Sequence, residues 1–185
     1  MTWSLSWEIP FLDYLQTIRN PILDRIMVVI STLGNAGIFW IILALILLIP
    51  KKTRWMGLET IAAMLFTFII GNLIMKNAFN RTRPWVVSGF TDFPAGLKLP
   101  RDASFPSGHT MNGVTAAMIL LFYDRRIGIP AAILALAIAF SRMYNYCHFP
   151  TDIIGGIAIG ILSSVCMHFI FRYWQNKIQA KHTEA

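Results

Sequence analysis

At 185 residues, 56% of them hydrophobic, and with a mean hydropathy of +0.57, the chain is too apolar for a soluble domain. Its apolar residues fall in long blocks, the pattern of membrane helices. The net charge of +7 would suggest nucleic-acid binding in a soluble protein, but here the basic residues flank the apolar blocks and orient them, so no nucleic-acid partner is expected.

The opening MTWSLSWEIP has no basic n-region, and Glu8 interrupts it, so it does not read as a secretory signal. Residues 8–32 alternate apolar and charged positions around Pro21 and are expected to form one or two amphipathic helices in the interface. The second half, 21–33, could instead insert as a sixth span. A span needs about 20 mostly apolar residues. Five stretches approach that, roughly 34–50, 55–75, 107–123, 127–147 and 153–173, the first and third being short. The expected fold is therefore an all-α integral membrane bundle of about five transmembrane helices, six if 21–33 inserts, with an N-terminal amphipathic segment. Residues 1–33 would lie in the interface, 34–174 would form one membrane core, and 175–185 would be a cytoplasmic tail. No internal repeat or flexible linker divides the chain.

The sixteen Lys and Arg residues divide equally between the two sides. Lys51, Lys52, Arg54, Arg125, Arg126, Arg172, Lys177 and Lys181 lie on one; Arg19, Arg25, Lys76, Arg81, Arg83, Lys98, Arg101 and Arg142 lie on the other. The tie breaks if several of the second set serve a ligand. Residues 51–54, 124–126 and the C-terminus are then expected inside the cell, and the 76–106 loop outside it. Cys147 and Cys166 are too far apart along the spans for a disulfide and read as small buried apolar residues.

The second span ends GNLIMKNAFNRTRPW, the third begins FPSGHT, the fourth ends FSRMYNYCHF and the fifth begins PTDIIGG. Alternating direction brings these four ends to one side. They carry Lys76, Arg83, Ser107, His109, Arg142, His148 and Asp152: three cations, two imidazoles and one carboxylate. Ionisable groups at the edge of a membrane protein are costly and mark function. Two arginines and a lysine suit a phosphate, the arginines by paired hydrogen bonds and the lysine as a point charge. Pro106 suits the first turn of the third span, Ser107 can cap it, and Gly108 lets an anion approach the backbone at the positive end of the helix. His109 would stand beside that anion. His148 and Asp152 are four residues apart, with Pro150 between them, so the carboxylate can reach one ring nitrogen and leave the other free.

These residues form three motifs: Lys-x6-Arg-Pro in KNAFNRTRP, the intact PSGH, and Ser-Arg-x5-His-x3-Asp in SRMYNYCHFPTD. The set, from Lys76 to Asp152, resembles the type 2 phosphatidic acid phosphatase superfamily of membrane lipid phosphatases, whose soluble relatives are bacterial acid phosphatases and vanadium haloperoxidases. The resemblance implies that His148 attacks phosphorus to give a phosphohistidine, that Asp152 orients it, and that His109 protonates the leaving oxygen and then activates water. Lys76, Arg83 and Arg142, with Ser107 and the Gly108 N–H, would hold the phosphate oxygens. No metal and no cofactor are implied, in keeping with the single carboxylate and the lack of a Cys/His ligand set. The implied substrate is a membrane lipid phosphate: undecaprenyl pyrophosphate, favoured for an outward-facing site in the plasma membrane, or phosphatidylglycerol phosphate or phosphatidic acid. Readings of another class are a non-enzymatic lipid-phosphate binder or transporter, and a vanadate-dependent oxidase. A transporter would show repeats or broken helices in matching halves.

Other polar residues have plainer readings. Arg81 is expected to snorkel to the head groups, or to assist the phosphate. His168 is expected to be a satisfied bundle residue, and Glu59 to reach water or Arg54. Asn72 and Asn112 could support the site or pack between helices. Gly156 and Gly160 form a small-xxx-small pair for close packing, within the bundle or in a dimer. Trp55, Trp85, Tyr144, Tyr146, Tyr173 and Trp174 read as interfacial aromatic belts. The 85–105 loop, with Phe90, Phe93 and Leu97, would shape the entrance.

Overall fold

The computed structural model describes residues 2–183, with side chains described through Ala180. Every regular element among the described residues is helical. α1 (Glu8–Thr17) and α2 (Pro21–Leu33) open the fold. Asn20 caps α2, its side chain accepting from the N–H groups of Ile22 and Leu23, while Pro21 takes the first helical position, where no N–H is needed. A 3-10 turn at Asn35–Gly37, with Ala36 and Gly37 at positive φ, leads into α3 (Ile38–Leu48). α2 and α3 meet at a bend of 43° and are apolar enough to cross a bilayer only as a pair. The 34–50 stretch, short on its own, reaches the length of a span only together with α2.

α4 (Arg54–Phe68) runs on through a π-helical turn at Ile69–Met75 into the short α5 (Lys76–Phe79). Asn80, in the left-handed conformation, ends it. α6 (Pro84–Ser88) follows, with Pro84 at its first turn. The central helix is α7 (Gly108–Tyr123), buried along most of its 16 residues. α8 (Arg125–Tyr144) starts at Asp124, whose side chain accepts from the Arg126 N–H, and α9 (Pro150–Thr183) continues well past residue 174 without a break. Arg54–Ser88, Arg125–Tyr144 and Pro150–Ala180 are each long and apolar enough to span a bilayer.

α7 packs against α4, α8 and α9, and α3 packs on α4. The main core joins Trp40, Met56, Met64, Ala116, Leu120, Ala135 and Ile138. Large apolar side chains such as Leu162 and Phe169, both 70% exposed, cover the outside, where acyl chains are the natural neighbours. A Cβ on Gly156 or Gly160 would come within 3.0 Å of the Ser107 or 2.9 Å of the Met111 carbonyl oxygen, so the small-xxx-small pair seats α9 directly on the backbone of α7.

Several expectations need correcting. Tyr144 and Tyr146 are fully buried rather than interfacial, their hydroxyls donating to Asp24 (2.6 Å) and Asp13 (2.7 Å). Phe90 and Phe93 pack with Leu12, Leu15, Tyr146 and Phe149 in a second core, with Phe90 stacked on Tyr146 at 4.2 Å. Of the two cysteines, both free, Cys147 is buried but Cys166 lies on the outside of the bundle. Glu59 faces neither water nor Arg54: it is wholly buried and accepts from the Tyr123 hydroxyl (2.6 Å) and His168 Nδ1 (2.8 Å). His168 is thus satisfied within the bundle, as expected.

Candidate active site

The four helix ends meet. Asn80 and the extended stretch after it turn the chain so that Arg83, next to Pro84, points inward. Arg83 is held by several partners. Its Nη1 donates to the Cys147 carbonyl (3.0 Å) and to His148 Nε2 (2.9 Å), its Nε to the Asp102 carbonyl (2.9 Å), and its Nη2 to Asp102 Oδ1 (2.6 Å). Arg142, in the last turn of α8, is buried; its Nη1 donates to Ser31 Oγ, and its Nε has no partner among the described residues. The loop after α8 folds back on the same residue, Cys147 and His148 donating their N–H groups to the Arg142 carbonyl.

His148 lies just before α9, and Asp152 sits in that helix's first turn. Asp152 Oδ2 reaches back to the Phe149 N–H (2.9 Å), one half of a capping box, and this fixes the carboxylate beside the ring. His148 Nδ1 faces Asp152 Oδ2 at 3.3 Å. Since Arg83 can only donate, Nε2 must accept, and the proton belongs on Nδ1, pointing at Asp152. Burial, then the charges of Arg83, Arg142 and Lys76, hold the His148 pKa well below its ordinary value, so the ring is neutral.

Arg81 does not snorkel. It is 1% exposed, donates to Asp152 Oδ1 (2.5 Å), Thr151 Oγ1 (2.7 Å) and Glu8 Oε2 (2.7 Å), and is sandwiched between the rings of Trp3 and Phe149. Ser104 Oγ also donates to Asp152 (2.5 Å). Asp152 is therefore held from behind by a buried Glu8–Arg81 pair that sequence reasoning missed; Glu8 stood out only as an interruption.

α7 begins at Gly108 with Ser107 as its N-cap, so Pro106 precedes the cap rather than occupying the first turn. The Ser107 side chain caps no N–H; it accepts from Thr110 Oγ1 (3.0 Å), while its own N–H donates to the Asp152 carbonyl (3.1 Å). His109 Nε2 lies 3.0 Å from Asn35 Oδ1, and its ring packs against Gly34, where a Cβ would be 2.6 Å from His109 Cδ2. The α2–α3 turn thus positions this histidine, a role with no motif to announce it.

A cavity of about 250 Å³ is lined by Lys76, Arg83, Gly108, His109, Arg142 and His148, with Asn72, Asn112 and Asp102 on its walls. Ser107 and Asp152 stand behind that wall. A larger outer groove of about 780 Å³ shares Arg83, Pro100 and Asp102 with it and is lined by Trp85, Leu97, Leu99 and Arg101. An apolar cavity of about 360 Å³ between α3 and α4, lined by Ile41, Ile61, Met64 and Leu65, shares Ala36, Phe68 and Asn112 with the inner one. Asp102 is a second carboxylate that the sequence reading did not include. It accepts from Lys76 Nζ and from Arg83. Burial alone would raise its pKa, but the hydrogen bond and charge of Lys76 and the charge of Arg83 outweigh that and bring it down to about 2. Among the described residues no three His, Cys, Asp or Glu side chains converge as a metal-ligand set.

Residues 56–178 match the model of the PAP2 superfamily. The chain belongs to this family. PAP2 relatives include the undecaprenyl-diphosphatase BcrC of Bacillus subtilis, 30% identical over 149 residues that make up 78% of this chain and 72% of that protein. Phosphatidylglycerophosphatase B of Bacillus subtilis is 28% identical over 179 residues, 88% of this chain and 80% of that one. The crystal structure of a transmembrane PAP2-type phosphatidylglycerolphosphate phosphatase from Bacillus subtilis superposes with a TM-score of 0.70 at 27% identity, covering 92% of this chain and 85% of the other. The chain is a membrane enzyme of the PAP2 lipid phosphatase family.

Proposed function

We propose that this enzyme removes the terminal phosphate of a membrane lipid, with undecaprenyl pyrophosphate as the favoured substrate, through a phosphohistidine at His148 and without a metal. The carrying observation is the pairing of His148 Nδ1 with Asp152, which leaves Nε2 as the acceptor facing Arg83 in a cavity lined by Lys76 and Arg142. In this reading Nε2 attacks phosphorus as the bond to the leaving oxygen breaks, and His109 gives that oxygen its proton. Asp152 stabilises the positive ring. Water then attacks the phosphohistidine, His109 takes its proton, the P–N bond breaks and phosphate leaves. Lys76, Arg83, Arg142 and the Gly108 N–H hold the phosphoryl oxygens, while Ser107 fixes the start of α7 from behind.

The adjoining apolar cavity between α3 and α4 supports a lipid substrate, since it offers acyl or prenyl chains a place beside the phosphate. The basic turns and tail at the opposite end of the bundle support an outward-facing site in the plasma membrane, once the cations that serve the phosphate are set aside from the equal Lys and Arg count. The second reading, a phosphatidylglycerol phosphate phosphatase, is favoured by the longer match to phosphatidylglycerophosphatase B, 88% of the chain against 78%. A phosphate-release panel with purified protein, comparing undecaprenyl pyrophosphate, phosphatidylglycerol phosphate, phosphatidic acid and a soluble ester, decides between them. Turnover should persist in EDTA. Loss in EDTA that Mg²⁺ restores contradicts the metal-free step, and release from none of the lipids favours a binder.

A further inference from the structure

Two of the three cations around the inner cavity already hold an anion. Asp102 Oδ2 accepts from Lys76 Nζ, and Oδ1 accepts from Arg83 Nη2 at 2.6 Å. Both carboxylate oxygens are thus spent on groups that would otherwise bind phosphoryl oxygens. The Lys76 and Arg83 side chains are 10% and 5% exposed, whereas that of Asp102 is 52% exposed, so the carboxylate is the movable member of the trio. It stands where the inner cavity meets the outer groove, and that groove, about 780 Å³ and lined by Thr82 and Arg101, gives it somewhere to go.

We propose that Asp102 is an internal competitor for the phosphate seat: its carboxylate occupies Lys76 and Arg83 at rest, and a bound phosphate must displace it. This rests on the lipid-phosphatase reading above. A competitor built into the chain weakens every ligand of the seat by one common factor, the fraction of time the seat is open. Free inorganic phosphate, the product, has nothing to offset that factor. A lipid phosphate does, because its chains bring binding energy from remote contacts, such as those the α3–α4 cavity offers. Asp102 thereby clears product from the site and keeps it from filling with soluble phosphate. Sequence alone does not mark the residue, which lies in an irregular loop seven positions before His109.

The test is calorimetric titration of the purified full chain in detergent with inorganic phosphate, which needs no turnover. Asp102→Asn and Asp102→Ser are expected to bind phosphate about tenfold more tightly or better, since one charge-assisted contact is relieved. Asp102→Glu keeps the anion and should stay near wild type. The gain should survive at about 0.5 M salt, because displacement at direct contact is screened far less than repulsion at a distance. In turnover, KM and the inhibition constant of phosphate should fall together in Asp102→Asn. Unchanged or weaker phosphate binding in Asp102→Asn and Asp102→Ser would mean that the carboxylate only holds the cations in place, and overturns the proposal. A gain that disappears in high salt overturns it too. A protein that bound phosphate but released none from any lipid would fail the reading above while leaving this competition measurable.

Discussion

A histidine can act as a nucleophile only while one ring nitrogen keeps its lone pair. At His148 that condition is met by two neighbours, Asp152 on Nδ1 and Arg83 on Nε2. His148→Ala is expected to lower phosphate release at least about 10³-fold with expression retained, measured on detergent-solubilised protein; normal turnover would end the assignment. The same environment has a signature in stability. The unfolded chain takes up the His148 proton near the ordinary pKa of 6.5, whereas the folded chain resists it, chiefly by burial. The contribution is therefore fully present above pH 6.5 and is lost as pH falls below it. Asp102, held at about 2 against an ordinary 3.8, adds a loss of the same sign between those values. The melting temperature should be flat above about pH 7 and fall on acidification, and His148→Asn should flatten the fall between about pH 6.5 and 5. Arg81 tests a different point. It joins Glu8 to Asp152 with all three side chains buried. Removing it strands two carboxylates, so Arg81→Met should cost about 3–5 kcal/mol in a denaturation series. A cost under about 1 kcal/mol, the value of a surface pair, would show that the network carries little.

Among the elements, the α7–α9 contact ties folding to the site. Gly156 has the Ser107 carbonyl 3.0 Å from where its Cβ would be, and the Ser107 N–H donates to the Asp152 carbonyl one helical turn away. A side chain at Gly156 would push α9 off α7 and carry Asp152 with it. Gly156→Val should reduce turnover by more than its loss of melting temperature explains, whereas Gly113→Ala, whose added Cβ would meet the Cβ of Ala135 at 3.2 Å on the face toward α8, should act through stability alone. Equal effects from the two would remove the link. The π-turn at Ile69–Met75 is a second device of this kind. It lies directly before Lys76, with Gly71 packed so closely on Met111 that any Cβ there would overlap its sulfur. Helical periodicity predicts a straight span through 55–75 and gives no sign of the extra residue, because a π-turn is decided by what the helix packs against.

For the molecule as a whole, the bundle has an apolar body with basic residues at both ends, and its orientation is open to direct measurement. In a background without Cys147 and Cys166, a cysteine at Lys98 should react with an impermeant maleimide in intact cells, and one at Lys51 only after permeabilisation. The reverse pattern would turn the site inward and remove the argument for a substrate left outside the membrane.

What the sequence determined by itself was the helical membrane fold and the meeting of four helix ends. Apolar block length sets where a chain can cross lipid, and alternating direction then forces alternate ends together. That Lys76, Arg83, His109, Arg142 and His148 line one cavity was legible because each sits in a motif at such an end. Tertiary structure alone decided the partners: that Arg81 is buried against Glu8 and Asp152, that Asn35 holds His109, that Glu59 meets His168 and Tyr123, and that Asp102 occupies the cations. The physical reason is that a buried charge must find its counter-charge in space, and the pairing depends on which helices pack together rather than on any local spacing. Glu8 and Arg81 are 73 residues apart in the chain and 2.7 Å apart in the fold.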